Sequence, residues 1–288
     1  MKIGVIDIGS NSVRMAWCDG TIKVGLLPEE RLAYSRLAEG ATASGILSDE
    51  AVERTIHAVR GLLSEARQEA VDIRRISATS ALREAKNASA VKAKMEAAFE
   101  QEIKILSSEE EATYSYKGAT FGLPKDQHMV VVLDVGGGST ELCWGMAPDM
   151  SASVPVGAVR LKEFANQITP LPECLAPLTA KVPKRPLLLV GVGGTITTMA
   201  AVFEQLETYR AQEIHQLSYG INAMTQFNEV MKGLPMESRM ALAGMSKARA
   251  DILPYGMDIV LQVMQALHTT TLTVSTTDLL LGQLLELV

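Results

Sequence analysis

The sequence predicts an α/β fold of two related halves, each with a mixed central sheet and a cleft between them. Three observations carry this. Strand-like and helix-like periods alternate along the chain. A short Gly/Ser turn after a buried strand occurs twice in the same register. The apolar quota, 47% of 288 residues, is filled by Ala, Leu, Val and Met with only 5% aromatics, which suits helices on a buried sheet better than an all-β sandwich. That length allows one large domain or two ordinary ones.

Lys2 to Ile8 reads as a buried strand ending in Asp7-Ile8-Gly9-Ser10. Val13, Met15 and Trp17 alternate with Arg14, Ala16 and Cys18, the period of a second strand. Asp19-Gly20 then predicts a hairpin with Thr21 to Leu26 as its return strand. From Ser48 the period changes: Val52, Ile56, Val59, Leu63 and Ala66 share one helical face, behind a Ser N-cap and the first-turn acids Asp49 and Glu50. A strand (Ile73 to Ala78), a helix (about Ala88 to Glu100), a strand (Ile103 to Leu106) and a helix (Glu109 to Phe121) follow. Gly122 to Gln127 breaks the pattern and places the domain boundary at 123/124, giving halves 1–123 and 124–288, with the last helix expected to return to the first half. Beyond it, Met129 to Asp134 and Glu141 to Met146 form a predicted hairpin, Leu187 to Val190 a further strand, and Asp278 to Val288 a closing helix. Pro170 to Pro186, with five prolines, reads as a loop or short turns.

The repeat sets Asp7-Ile8-Gly9-Ser10-Asn11-Ser12-Val13-Arg14 against Asp134-Val135-Gly136-Gly137-Gly138-Ser139-Thr140-Glu141. A tight turn of small residues lets several backbone N–H groups converge on one anion, and Ser12, Ser139 and Thr140 add hydroxyls. Asp7 and Asp134 end their strands in the same cleft, where a carboxylate beside phosphate needs a cation between them. Mg²⁺ is the natural one, because it bridges one or two carboxylates to substrate oxygens and water. One such turn alone would be a demanding hairpin and nothing more; two in register point to phosphate binding. Gly191-Val192-Gly193-Gly194-Thr195 reads equally as a third anion-facing turn, through Gly193, or as close strand–helix packing. Glu109-Glu110-Glu111 taken alone is a solvated first helical turn. Arg14, Arg83 and Arg160 are by composition single surface cations.

Several chemistries are excluded. A net charge of −6 argues against a nucleic-acid polymer or an anionic membrane as partner. No apolar run reaches the roughly 18 residues of a membrane span, and no signal peptide precedes the first strand, so the expected location is the cytoplasm. Cys18, Cys143 and Cys174 are too few and scattered for a disulfide framework or a zinc site. His57, His128, His215 and His268 lack metal-ligand spacing. A Gly-x-Ser-x-Gly elbow and a P-loop lysine are both missing.

Two phosphate turns on duplicated βββαβα-like halves resemble the actin, sugar-kinase and heat-shock-ATPase superfamily, which implies two actin-like (ribonuclease H-like) domains. Within it the motifs are similar to the exopolyphosphatase / guanosine pentaphosphate phosphatase (Ppx/GppA) family. They are Ile6 to Ser12, Ala78 to Ala85, Glu110-Glu111-Ala112, Asp134 to Glu141, Val154 to Leu161, Gly191 to Thr195 and Arg249 to Pro254. The resemblance implies that Glu111 is the water-activating base, that Asp134 and Glu141 join Asp7 in holding Mg²⁺, and that Asn11, Ser12, Gly136, Gly137, Gly138, Ser139 and Arg83 hold phosphate; Arg14, Thr140 and Gly193 are placed with them. It departs from the family pattern at Ser108, where Gly is usual, at Thr113, where Arg is usual, and at Leu280-Leu281, where Arg-Glu is usual. The implied reaction is direct hydrolysis of terminal phosphate from inorganic polyphosphate, with Glu111 deprotonating an in-line water. The same site suits guanosine pentaphosphate; a small-molecule kinase and a non-catalytic phosphate sensor are the other readings. Oligomeric state is not written in these residues, and a homodimer is left open.

Overall fold

The computed structural model describes residues 1–123, 129–145, 150–164 and 170–288, with backbone alone at 42 and 43. The boundary segment after Leu123, His128 and the end of the hairpin at Met146 lie outside the described residues.

Eleven strands are described in two sheets. The first holds β1 (Lys2–Ile8), β2 (Ser12–Cys18), β3 (Glu29–Tyr34), β4 (Val71–Ala78) and β5 (Ile103–Ile105); the second holds β6 (Met129–Val135), β7 (Thr140–Cys143), β8 (Ser151–Val154), β9 (Leu187–Val192), β10 (Ser218–Gly220) and β11 (Thr271–Val274). Their orders, β3-β2-β1-β4-β5 and β8-β7-β6-β9-β11-β10, are one topology with β10 added at an edge. Antiparallel hairpins open each sheet, and parallel strands follow. The repeat is therefore structural: Asp7 pairs with Arg14 across β1 and β2, as Asp134 pairs with Glu141 across β6 and β7.

Each sheet is covered by its own core. Ile6, Ile8, Val13 and Met15 pack against Val52, Ile56 and Val59 of the helix Asp49–Gln68, whose first turn is capped by Ser48 Oγ accepting from Ala51 N–H at 3.2 Å. Val131 and Leu133 pack against Met199, Met257 and Met264. The closing helix, Leu279–Leu287, lies on the other face of the first sheet, with Leu280 and Leu284 against Val5 and Ala16. It crosses the helix Ser108–Thr120 backbone to backbone: a Cβ on Gly118 would come 1.9 Å from the Asp278 carbonyl oxygen, and one on Gly282 2.0 Å from that of Tyr114. Ion pairs Arg36–Asp251 and Arg160–Glu84 fasten the halves across the cleft, and Lys162, from the second half, shares Asp251 with Arg36.

Two expectations are corrected. Thr21 to Leu26 is not a strand; β2 pairs instead with β3, Glu29–Tyr34. The apolar residues that mimicked a strand have other uses, Ile22 against the Leu280 cluster and Val24 against Gly122. The true edge strand carries Glu29, Glu30 and Arg31, as edges do to avoid pairing with other chains. Pro170 to Pro186 contains a helix, Leu171–Thr179. Pro172 sits in its first turn, where no N–H is needed, Pro177 falls in its last turn, and Leu175 and Leu178 anchor it in the second core.

Candidate active site

The ends of β1 and β6 and the turns after them meet between the halves. Each turn closes the same way: Gly9 N–H donates to the Ser12 carbonyl at 2.9 Å and Gly136 N–H to the Ser139 carbonyl at 3.0 Å. The turns abut, since a Cβ on Gly137 would stand 3.0 Å from Ser10 Cβ and one on Gly138 2.6 Å from Ser80 Oγ. Larger residues there would push the halves apart. Beside the turns lies a cavity of about 450 Å³ lined by both, by Asp7, Asp134 and Glu111, and by Gly193.

Asn11, Ser12 and Ser139 line this cavity, as do Gly136, Gly137 and Arg14. Asn11 Nδ2 is buried with no hydrogen-bond partner among the described residues. An orphaned buried donor costs roughly 1–3 kcal/mol, which an anion in the cavity would recover. Gly138 faces the small space behind the turns, and the Thr140 hydroxyl donates to the Val156 carbonyl instead of reaching the cavity. Among the Gly191–Thr195 residues the duties divide. Gly191 is close-packed against Ile196 and Leu272, whereas Gly193, at φ +84°, faces the cleft with Asp134 Oδ1 2.8 Å from where a Cβ would stand.

The three consecutive glutamates have three fates. Glu109 is solvated; Glu110 completes a capping box with Ser107; Glu111, 9% exposed, turns into the cleft. Glu111 accepts from Arg83 Nη1 at 2.7 Å, and the same guanidinium holds the Leu106 carbonyl at 3.0 Å. Arg83 thus stands behind Glu111 and outside the cavity lining. Burial pushes the Glu111 carboxyl up to about 7, against the pull of Arg83 and with help from the charges of Asp134 and Asp7. One turn on, Ser115 donates to Asp134 Oδ2 at 2.9 Å.

Asp7 and Asp134 are both lifted to about 6, first by burial, then by neighbouring acids including Asp278. Glu141 is buried, receives Ser153 Oγ at 2.8 Å, and is raised well above the usual range by burial and by Glu111 and Asp134. No group of three acidic, histidine or cysteine side chains forms a ready cation cage among the described residues. Hard carboxylates lifted by burial and by neighbouring acids nonetheless fit a divalent cation that takes its remaining ligands from water and substrate.

The chain matches the model of the Ppx/GppA phosphatase family over residues 23–288. It belongs to this family. The phosphatase is similar to exopolyphosphatase 2 of Mycobacterium tuberculosis, 29% identical with 99% of this chain and 98% of that protein covered. A guanosine-5'-triphosphate,3'-diphosphate pyrophosphatase of Pseudoalteromonas atlantica is 29% identical over 57% of this chain and 33% of its own length. The crystal structure of the Aquifex aeolicus family member superposes with a TM-score of 0.77 at 29% identity, covering 99% and 97% of the two chains. The two-sheet architecture is thus the actin-like fold of the family, and the enzyme is a phosphoanhydride hydrolase.

Other residues reach the phosphatase cavity without having been singled out for it. Arg249 lines it and lies over Gly194, where any side chain would collide with the guanidinium; it stands in the Arg-Ala-Asp motif, the one signal that pointed to it. Tyr34 and Asp278 carry no motif, and only the packing brings them in; Ser115 does not line the cavity and acts on it only through Asp134.

Proposed function

We propose that this enzyme is a Mg²⁺-dependent exopolyphosphatase that releases terminal phosphate from inorganic polyphosphate by direct attack of water. The observation that carries the reading is Glu111: a buried carboxylate with its pKa near 7, held by Arg83 and set beside two anion-shaped turns. A base so tuned is matched to neutral pH. Backbone N–H groups of the turns, the orphaned Asn11 amide and the Ser12 and Ser139 hydroxyls would hold the terminal phosphoryl oxygens, with Arg14 beside them. Glu111 takes a proton from a water as its oxygen bonds to the terminal phosphorus. The bond to the bridging oxygen breaks, and the shortened chain leaves with that oxygen. Asp134, Glu141 and Asp7 would hold Mg²⁺, which when bound offsets charge on the phosphoryl oxygens. Positioning and electrostatics carry the rate, with no covalent intermediate. The reading includes two domains, 1–123 and 124–288, that close on the cleft.

A second reading, hydrolysis of guanosine pentaphosphate, is favoured by other residues of the cavity lining. Tyr34, Tyr209, Leu206 and Met245 offer apolar and aromatic surface suited to a nucleoside leaving group. The test is Mg²⁺-dependent phosphate release from short and long polyphosphate, guanosine pentaphosphate and ATP, with Glu111→Gln as control. Release from polyphosphate that the variant loses by about 10²–10⁴-fold while still binding substrate is the expected result. Release from pentaphosphate alone would promote the second reading. A Glu111→Gln enzyme at wild-type rate would sink the base assignment.

A further inference from the structure

The pseudo-equivalent hairpins carry opposite charges at the position paired with the aspartate, where β2 has Arg14 and β7 has Glu141. Arg14 lines the phosphate cavity, but its Nη1 is ion-paired to Asp278 Oδ2. Asp278 lines the same cavity, is 3% exposed, and caps the closing helix by accepting from Leu280 N–H at 3.2 Å. That carboxylate is held on both sides. Its own backbone carbonyl accepts from Gly282 N–H at 2.9 Å and lies against Gly118, where no side chain fits. Asp7 and Glu30 also act on Arg14 by charge, though neither forms an ion pair with it among the described residues. Arg249, in the same cavity, has no carboxylate partner among the described residues and faces the Tyr34 ring at 5.8 Å.

The geometry points to Asp278 as a selectivity residue that occupies Arg14 in the place a substrate phosphoryl oxygen would take. It is an internal competitor: an anion must displace a carboxylate fixed by the helix cap, or bind around it on Arg249 and the turns. Carboxylate and phosphoryl oxygens bind a guanidinium by the same charge-assisted bonds. One tethered beforehand therefore lowers the affinity of the cleft for free anions while keeping Arg14 compensated in the empty protein. The consequence is a site biased against weakly held anions, phosphate product among them, and toward longer or better-anchored phosphate chains. This rests on the phosphate-binding reading of the cleft.

Asp278→Asn separates charge from structure, because asparagine is isosteric and caps helices as well as aspartate. The expected result is binding of tripolyphosphate to Asp278→Asn about tenfold tighter than to wild type, the value of one freed charge-assisted contact. It is measured by titration calorimetry with Glu111→Gln in both proteins, so that turnover does not interfere. Inhibition of the Glu111-intact enzyme by inorganic phosphate strengthens in parallel. In Asp278→Asn/Arg14→Gln the gain disappears. A merely structural role for Asp278 predicts weaker binding or none, never a gain, so unchanged or weaker tripolyphosphate binding by a folded Asp278→Asn overturns the inference. Failure of the Glu111-carrying protein to bind or cleave any phosphate chain would instead overturn the reading beneath it.

Discussion

The two turns at the floor of the cleft have the same backbone and opposite chemistry. Both follow a buried strand that ends in Asp, both close through a Gly N–H to a Ser carbonyl, and both pass to a strand paired at the same offset. In the first half, the residue opposite the aspartate is Arg14 and the turn carries Ser10 and Asn11; in the second it is Glu141, with Gly137 and Gly138. Asp7 thus faces a cation, while Asp134 faces another acid. The two turns form a symmetric cradle, and one charge reversal makes its two sides unlike, which on the proposed function would suit one to phosphate and the other to a cation. The lesson is that backbone symmetry fixes where groups converge and says little of what they do there.

The comparison breaks most visibly if Arg14 and Glu141 are neutralised in turn. Arg14→Gln leaves Asp278 buried without its ion-pair partner, removes the charge that opposes Asp7, and should cost about 3–5 kcal/mol of stability at neutral pH. Glu141→Gln removes a carboxylate already pushed up by burial and by Glu111 and Asp134, so the metal-free protein should be as stable or more so. Chemical denaturation of both variants in chelator decides it; two changes of the same sign would mean that the halves are electrostatically alike.

Packing between the turns is the next test. A Cβ on Gly157 would lie 2.5 Å from the Gly137 carbonyl carbon and 2.6 Å from Gly138 N, backbone atoms with nowhere to go. Gly157→Ala should destabilise by about 1–3 kcal/mol and raise KM more than Gly9→Ala, whose nearest neighbour is 3.1 Å away. Equal effects would make the contact of the second turn no tighter than that of the first.

The last test is pH. Asp7 and Asp134 rise from 3.8 to about 6 and Glu111 from 4.5 to about 7. Between those values the folded state keeps protons the unfolded chain has released, so stability falls as pH rises. Metal-free protein should therefore melt at a higher temperature at pH 5 than at pH 7.5, and Mg²⁺ should narrow the gap. Activity runs the other way, rising through about pH 7 as Glu111 loses its proton. A melting temperature that climbs from pH 5 to 7.5 without metal would contradict the burial of these acids.

Much of this was legible in the chain, and its failures are instructive. The helix Asp49–Gln68 was readable because Val52, Ile56, Val59 and Leu63 pack on one core with one period. The strand at Thr21 to Leu26 was misread because Ile22 and Val24 are apolar for reasons remote in sequence, namely the closing helix and Gly122. Arg83 was expected on the phosphate; its hydrogen bond to Glu111 was not legible, since that contact depends on how β4 and the helix Ser108–Thr120 meet.

What the sequence alone determined is whatever local chemistry repeats: the strand–turn–strand register, the small residues of the turns, and the family to which those motifs belong. Periodicity and turn preference act within a few residues, so they survive without the rest of the molecule. Only the tertiary structure decided that Glu110 closes a capping box while Glu111 meets Arg83, that Asn11 Nδ2 has no partner among the described residues, and that Asp278, 264 residues from Arg14, occupies its guanidinium. Those are consequences of burial and Coulomb energy between groups distant in sequence. They take values only when two halves of the chain close on one another.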